Sequence, residues 1–200
     1  MLKSFIEKFE TTLRSSEQKE VALRERLRPH TADKWLLPEE ERQLNALASL
    51  ILPSDQTGPG AADAKVTQEL EKMLLASRPK QKLYAAGLAS LDRWARRKRK
   101  KSFAELSTEQ QTDILETLDA TFQGWSKEVS AGGKVQRKLT ALKLMRAGEY
   151  SAVEFFPRLV RDVMQVFYTS RVAWNWLGYD GPPMPQGYSD LWSARQGAAN

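Results

Sequence analysis

Phe155, Phe156, Leu159, Val160, Val163, Met164, Phe167 and Tyr168 recur at steps of three and four. That spacing lines large apolar side chains along one stripe of a helix of ~3.6 residues per turn. It offers no alternation by which a strand could bury one face. The same period marks most of the chain. Leu2, Phe5, Ile6, Phe9 and Leu13 form one stripe, Leu44, Leu47, Ala48 and Ile51 a second, and Val66, Leu70, Met73 and Leu74 a third. Leu83, Tyr84, Gly87, Leu88, Leu91, Trp94 and Ala95 follow, then Ile114, Leu115, Leu118 and Phe122, and a short set at Val135, Leu139, Leu142 and Leu144. A one-sided helix must bury its stripe on other helices, and neither strand pairs nor internal repeats break the pattern. The expected fold is all-α: a single irregular helical domain with an extended Gly/Pro/aromatic C-terminal arm.

Punctuation between the stripes sets the boundaries. Pro38 suits the first position of a helix, where its missing N–H costs nothing, and Glu39, Glu40 and Glu41 complement the positive end of the dipole. Pro53 stops that helix, and Pro53–Gly60 is a loop by composition. The third stripe ends before Pro79. Ser107 with Gln110, and Ser151 with Glu154, have the spacing of capping boxes. The second box would open the most apolar helix and leave Pro157 near its start, where proline is least costly. Gly132-Gly133 reads as a hinge. Ser16–Arg28 is rich in charge and reads as exposed helix or a partly ordered arm, closed by a break at Pro29-His30-Thr31. From Gly178 the run Gly-Tyr-Asp-Gly-Pro-Pro-Met-Pro cannot be helical and should be extended. The division expected is an N-terminal helix or arm over 1–30, a helical domain over 31–177, and an extended arm over 178–200.

A chain of 200 residues suffices for one substantial core. No apolar run approaches the ~20 residues needed to span a bilayer, so no transmembrane segment is expected. The opening Met1–Glu7 lacks the uninterrupted apolar stretch of a secretory signal. The expectation is therefore a cytoplasmic chain, or one carried to the periplasm by co-export with a partner.

Residues for chemistry are scarce. With no cysteine, disulfides, iron–sulfur ligation and thiol nucleophiles are excluded together. His30 is the single histidine and sits in a loop, so neither an ordinary zinc site nor a Ser/His/Asp arrangement has support. Asp113 and Glu116 lie opposite the apolar stripe and read as solvated. Gly58-Pro59-Gly60 lacks both the lysine and the preceding strand of a phosphate loop. No catalytic, cofactor-binding or metal-binding residues are assigned.

Two features suggest binding instead. Arg93–Lys101 concentrates positive charge at the end of a helix, where the dipole favours it. A solvated helix end is its plainest reading, ahead of an acidic surface or nucleic acid. Trp174, Trp176, Tyr179, Tyr188 and Trp192 crowd among glycines and prolines near the C-terminus. They either pack on the chain's own helices or dock on a partner, since aromatics are enriched at binding hot spots. The candidate partner-binding residues are Trp174, Trp176, Tyr179, Pro182, Pro183, Pro185 and Tyr188.

Leu50-Ile51-Leu52-Pro53-Ser54-Asp55 through Gly58-Pro59-Gly60-Ala61 to Val66, and Trp174 with Leu177-Gly178-Tyr179, Gly181-Pro182 and Pro185-Gln186-Gly187-Tyr188, form an ordered set. Between them lie Tyr84–Leu88, Leu91-Asp92, Phe103–Ser107 with Gln110-Gln111, and Glu154-Phe155-Phe156. From Leu36 to Tyr188 the set resembles the gluconate 2-dehydrogenase subunit 3 family. The resemblance implies a small, non-catalytic subunit that binds, stabilises and assists maturation of a large flavoprotein dehydrogenase acting on a sugar or glycoside. No cofactor is expected in this chain and FAD is expected in the partner; a cytochrome subunit is a further candidate partner, and nucleic acid is not expected. The chain departs from that pattern in beginning with an amphipathic helix rather than a twin-arginine signal, and in the weight of its Arg96–Lys101 run. The competing reading is a free-standing helical adaptor or nucleic-acid-binding protein using residues 93–101.

Overall fold

The computed structural model describes residues 19, 21–28, 33–131 and 150–179. Residues 21–26 are helical; then come α1 (Pro38–Ile51), α2 (Val66–Leu75), α3 (Arg78–Arg99), a 3-10 turn (Phe103–Glu105), α4 (Thr108–Ala131), α5 (Tyr150–Tyr168) and α6 (Arg171–Leu177). The all-α fold is as expected. Among the described residues the nearest approach to a sheet is an isolated bridge between Asp55 and Gly58. The helix stripes at 2–13 and 135–144, the hinge at Gly132-Gly133, His30 and the residues beyond Tyr179 lie outside the described residues.

Each stripe among the described residues turns inward. Leu44 and Leu47 of α1, Leu70 and Leu74 of α2, Tyr84, Leu88 and Leu91 of α3, Ile114 and Leu118 of α4, and Phe155, Leu159, Val163 and Phe167 of α5 form one core. The central seam joins α3 to α5. Gly87 permits it: a methyl on its Cα would overlap the Phe155 ring, so the two helices close to a distance only glycine allows. The Tyr84 ring meets Phe155 edge-on at 5.0 Å between centroids, a favoured geometry for aromatic quadrupoles. Buried Asp162 of α5 then ties the seam, accepting from the Tyr84 hydroxyl at 2.9 Å and from Lys80 Nζ at 2.8 Å.

Helix starts follow the sequence with one exception. Pro38 is the first residue of α1, and Glu40 reaches back to accept from the Leu37 amide at 3.2 Å. The Ser107–Gln110 box forms in both directions, at 3.3 and 3.4 Å. Ser151, in contrast, already lies inside α5, so it is not the cap expected. Pro157 correspondingly falls about two turns into the helix rather than near its start. Its missing N–H leaves the Val153 carbonyl without its helical donor; burial of Val153, Phe155 and Leu159 on either side outweighs that loss.

The charged stretch ending at Arg28 is more firmly docked than its composition suggests. Residues 22, 23, 25, 26 and 27 are exposed, as expected, but Arg28 is buried. Its guanidinium stacks 3.6 Å from the Trp35 ring centroid and forks onto fully buried Glu40 at 2.6 and 3.2 Å. It also donates to the Trp35 carbonyl at 3.0 Å. Arg24, one turn earlier, comes within 3.8 Å of Glu40 and 3.9 Å of Asp92. A hydropathy pattern sees only charge here; the partners come from a separate segment, and their pairing makes burial possible.

Candidate docking surface

The aromatic residues that the sequence singles out fall on α6 and its exit. Ser170 caps this short helix, its hydroxyl accepting from the Ala173 amide at 3.2 Å. Gly178 ends it in the left-handed region at φ 65°, which glycine adopts without Cβ strain. The Gly178 amide then donates to the Asn175 carbonyl at 3.3 Å and the Tyr179 amide to the Trp174 carbonyl at 2.8 Å. This is the paired hydrogen bonding of a Schellman stop, whose usual apolar contact is here the Trp174–Tyr179 ring pair, edge-on at 5.6 Å. Trp174 also donates from its indole to the Tyr168 carbonyl at 2.8 Å.

Trp176 points the other way, onto the loop between α1 and α2. Its indole N–H donates to the Thr57 carbonyl at 3.1 Å. Its ring lies so close to Gly58 that a Cβ there would sit 2.6 Å from it. The loop is shaped to receive it. Asp55 Oδ1 accepts from the Thr57 amide at 2.7 Å, the Thr57 hydroxyl at 2.5 Å and the Gly58 amide at 3.2 Å. These bonds, the Thr57 hydroxyl foremost, hold the Asp55 carboxyl below its ordinary range. Behind it, Ala61 donates to the Leu52 carbonyl at 2.9 Å, and any side chain at Gly60 would overlap the backbone of Leu52, Pro53 and Ser54. Gly58 and Gly60 thus serve close approaches, an indole in one case and backbone in the other.

Trp174, Trp176 and Tyr179 are therefore brought together, with unequal roles. Trp174 is half-buried and engaged at home, while Trp176 and Tyr179 remain about half exposed. Tyr168 and Leu177 join them as large exposed apolar side chains. The helical period places Tyr168 on the core stripe, yet it is exposed, because position in a period does not say where a stripe runs past its neighbours. Pro182, Pro183, Pro185 and Tyr188 lie outside the described residues. Thr57 and Gly58 were missed as members of the surface. The one available signal was that both segments belong to the ordered set carrying the family resemblance.

Beside this corner, a cavity of about 410 Å³ opens between the start of α2 and the α5–α6 turn. Ala64, Val166 and Val172 supply its apolar lining, and Asp63, Lys65 and Arg171 are among its polar members. The basic run occupies another place, the exposed end of α3. There Arg96 pairs with Asp92 and Arg99 with Asp113, each at 2.8 Å, and Lys98 lies 5.1 Å over the Trp94 ring. Among the described residues no group of carboxylates and imidazoles is arranged to hold a metal ion, and no helix is long and apolar enough to cross a membrane.

The sequence model of the family described as Gluconate 2-dehydrogenase subunit 3 matches residues 38–181, more than two thirds of the chain. No curated protein and no solved structure matches it.

Proposed function

Since the chain belongs to the gluconate 2-dehydrogenase subunit 3 family, we propose that it is the non-catalytic small subunit of an FAD-dependent sugar or glycoside dehydrogenase. In this reading it binds the large flavoprotein subunit, stabilises it and assists its maturation. FAD and the oxidation chemistry reside in the partner. The observation that carries the reading is the exposed apolar corner in a chain whose family is one of dehydrogenase subunits. Tyr168, Trp176, Leu177 and Tyr179 are each 44–55% exposed. A fully buried aromatic removes ~150–250 Å² from water. Covering the exposed half of Trp176 would thus contribute about 2–3 kcal/mol gross at ~25 cal/mol/Å². A surface ion pair of the basic run contributes ~0–1 kcal/mol, and two cations of that run are already paired within the chain. Leu23 and Leu27 are also exposed, but they lack the aromatic anchors typical of interface hot spots.

Co-expression tests the reading. The chain should co-purify with the flavoprotein subunit as a yellow complex and raise the yield of soluble, FAD-loaded partner. Purified alone, it should be colourless and without dehydrogenase activity. Stoichiometric flavin on the isolated chain, or a flavoprotein subunit equally soluble and loaded without it, would overturn the proposal.

A further inference from the structure

Seven of the nine residues over 93–101 are lysine or arginine, more charge than the end of α3 calls for. A helix dipole presents about half a negative charge at its C-terminus, which a single cation answers. Carboxylates approach the run from the elements packed around it: Asp92 of α3 itself, Asp113 of α4, and Glu39 of α1 with Glu105 of the 3-10 turn around a shared recess. Seven cations thus meet four carboxylates, and Arg42 lines the same recess. The excess also has a chemical character. Arg96 and Arg99, whose planar guanidinium groups suit two-point contacts with an anion, are turned onto Asp92 and Asp113. Lys98, Lys100 and Lys101 are all exposed, and among the described residues no carboxylate pairs with them.

Position separates this end from the aromatic corner. α3 and α5 run antiparallel, with Tyr84 against Asp162 and Gly87 against Phe155, so Tyr168 and α6 lie toward the start of α3. As α3 spans 22 residues, its basic end stands about 30 Å from that corner at ~1.5 Å per residue. The two surfaces can therefore meet different partners. Beside the run, Arg24 joins Arg96 in lining the recess and comes within 3.9 Å of Asp92, which ties the arm of residues 21–28 to the same end. On that arm Leu23 and Leu27 are 59% and 66% exposed. Cations next to exposed apolar side chains match the boundary of a bilayer, where headgroup phosphates overlie acyl chains. Successive helical residues fan around the axis by about 100° each, which suits a plane of phosphates better than the single track of a nucleic-acid backbone. We infer that the basic end of α3 docks on an anionic lipid surface, with Lys98, Lys100 and Lys101 at the headgroup phosphates and Leu23 and Leu27 reaching the apolar layer. This holds whatever covers the corner.

Co-sedimentation of the full chain with vesicles tests this. The chain should bind vesicles of phosphatidylcholine and phosphatidylglycerol at a ratio of about two to one, should not bind phosphatidylcholine alone, and should be released as salt rises. Each lysine near such a surface adds about fivefold. Lys98→Gln with Lys101→Gln should therefore weaken binding about 30-fold and flatten its salt dependence. The same loss of charge at the exposed start of α3, Arg78→Gln with Lys82→Gln, should leave binding within about threefold. Leu23→Ser with Leu27→Ser should weaken it about tenfold while keeping the salt slope. Equal binding to neutral vesicles, no binding to anionic ones, unchanged binding in the lysine or leucine variant, or equal loss at both ends of α3 would overturn the inference. So would duplex DNA holding the chain more tightly than the anionic vesicles, which would assign the run to nucleic acid. The comparison of the two vesicles with the wild type carries the test should a variant not fold. None of these outcomes bears on the small-subunit reading, which co-expression tests separately.

Discussion

Tyr84 and Trp176 use the same kind of side chain for opposite ends. Each is an aromatic ring with a polar tip held by a hydrogen bond, Tyr84 to Asp162 and Trp176 to the Thr57 carbonyl. Tyr84 is wholly buried in the α3–α5 seam, whereas Trp176 is 48% exposed at the α6 corner. In the seam, ring, hydroxyl and carboxylate are all satisfied from within the chain. At the corner the indole is fixed in place by Thr57 and Gly58, yet half its surface still faces outward. A ring held in position but left exposed loses little rotamer freedom on being covered, which favours binding. The seam makes the fold, and the corner presents a surface.

The largest effect should come from the seam. Phe155→Ala removes a fully buried ring and should cost about 3–5 kcal/mol, read as a shift in the urea midpoint at constant slope. A loss below about 1 kcal/mol would mean that α3 and α5 are not the structural centre. Tyr84→Phe sharpens the comparison more finely. It leaves the Asp162 carboxylate with Lys80 alone and should cost about 1–2 kcal/mol at neutral pH. The Tyr84 hydroxyl is pushed above the usual tyrosine value by burial and by the charge of Asp162. The folded chain therefore keeps its proton while the unfolded chain releases one above about pH 10. That contribution is complete below pH ~10 and falls away above it, by at most about 1.4 kcal/mol per pH unit. Stability should decline through this range in the wild type, and the tyrosine-dependent part of the slope should vanish in Tyr84→Phe.

The smallest effect on stability should come from the corner. Gly58→Ala places a methyl against the Trp176 ring and should displace the indole at a cost of about 1 kcal/mol or less to the free chain, since exposed sites relax cheaply. Tryptophan fluorescence should change, and complex formation should weaken. If Gly58→Ala unfolds the chain as Phe155→Ala would, the corner belongs to the core and the comparison fails.

What could be read in advance followed the range of the interaction. The Ser107–Gln110 box lies within one turn and was legible from four letters. The apolar stripes named the core residues because a helical period is a local property. Arg28 was not legible: what buries it is Glu40 and Trp35, and a charged side chain gives no sign in sequence of having a distant partner. Pro157 was placed wrongly because α5 begins earlier than its apolar stripe. The corner divides the same way. Trp174, Trp176 and Tyr179 stood out by type, but the pairing of Trp176 with Thr57 spans 119 residues. Only the fold shows which indole faces outward and which, through Tyr168 and Tyr179, is engaged at home.

The most direct test of the docking claim is the affinity of Trp176→Ala for the flavoprotein subunit, set beside its own stability. The free variant should melt within a few degrees of the wild type, at ~2–4 °C per kcal/mol for a chain of this size. Its complex should be weakened about 30-fold or more, as expected for a hot spot worth ~2 kcal/mol. An unchanged affinity would contradict the account, placing the interface elsewhere on the chain.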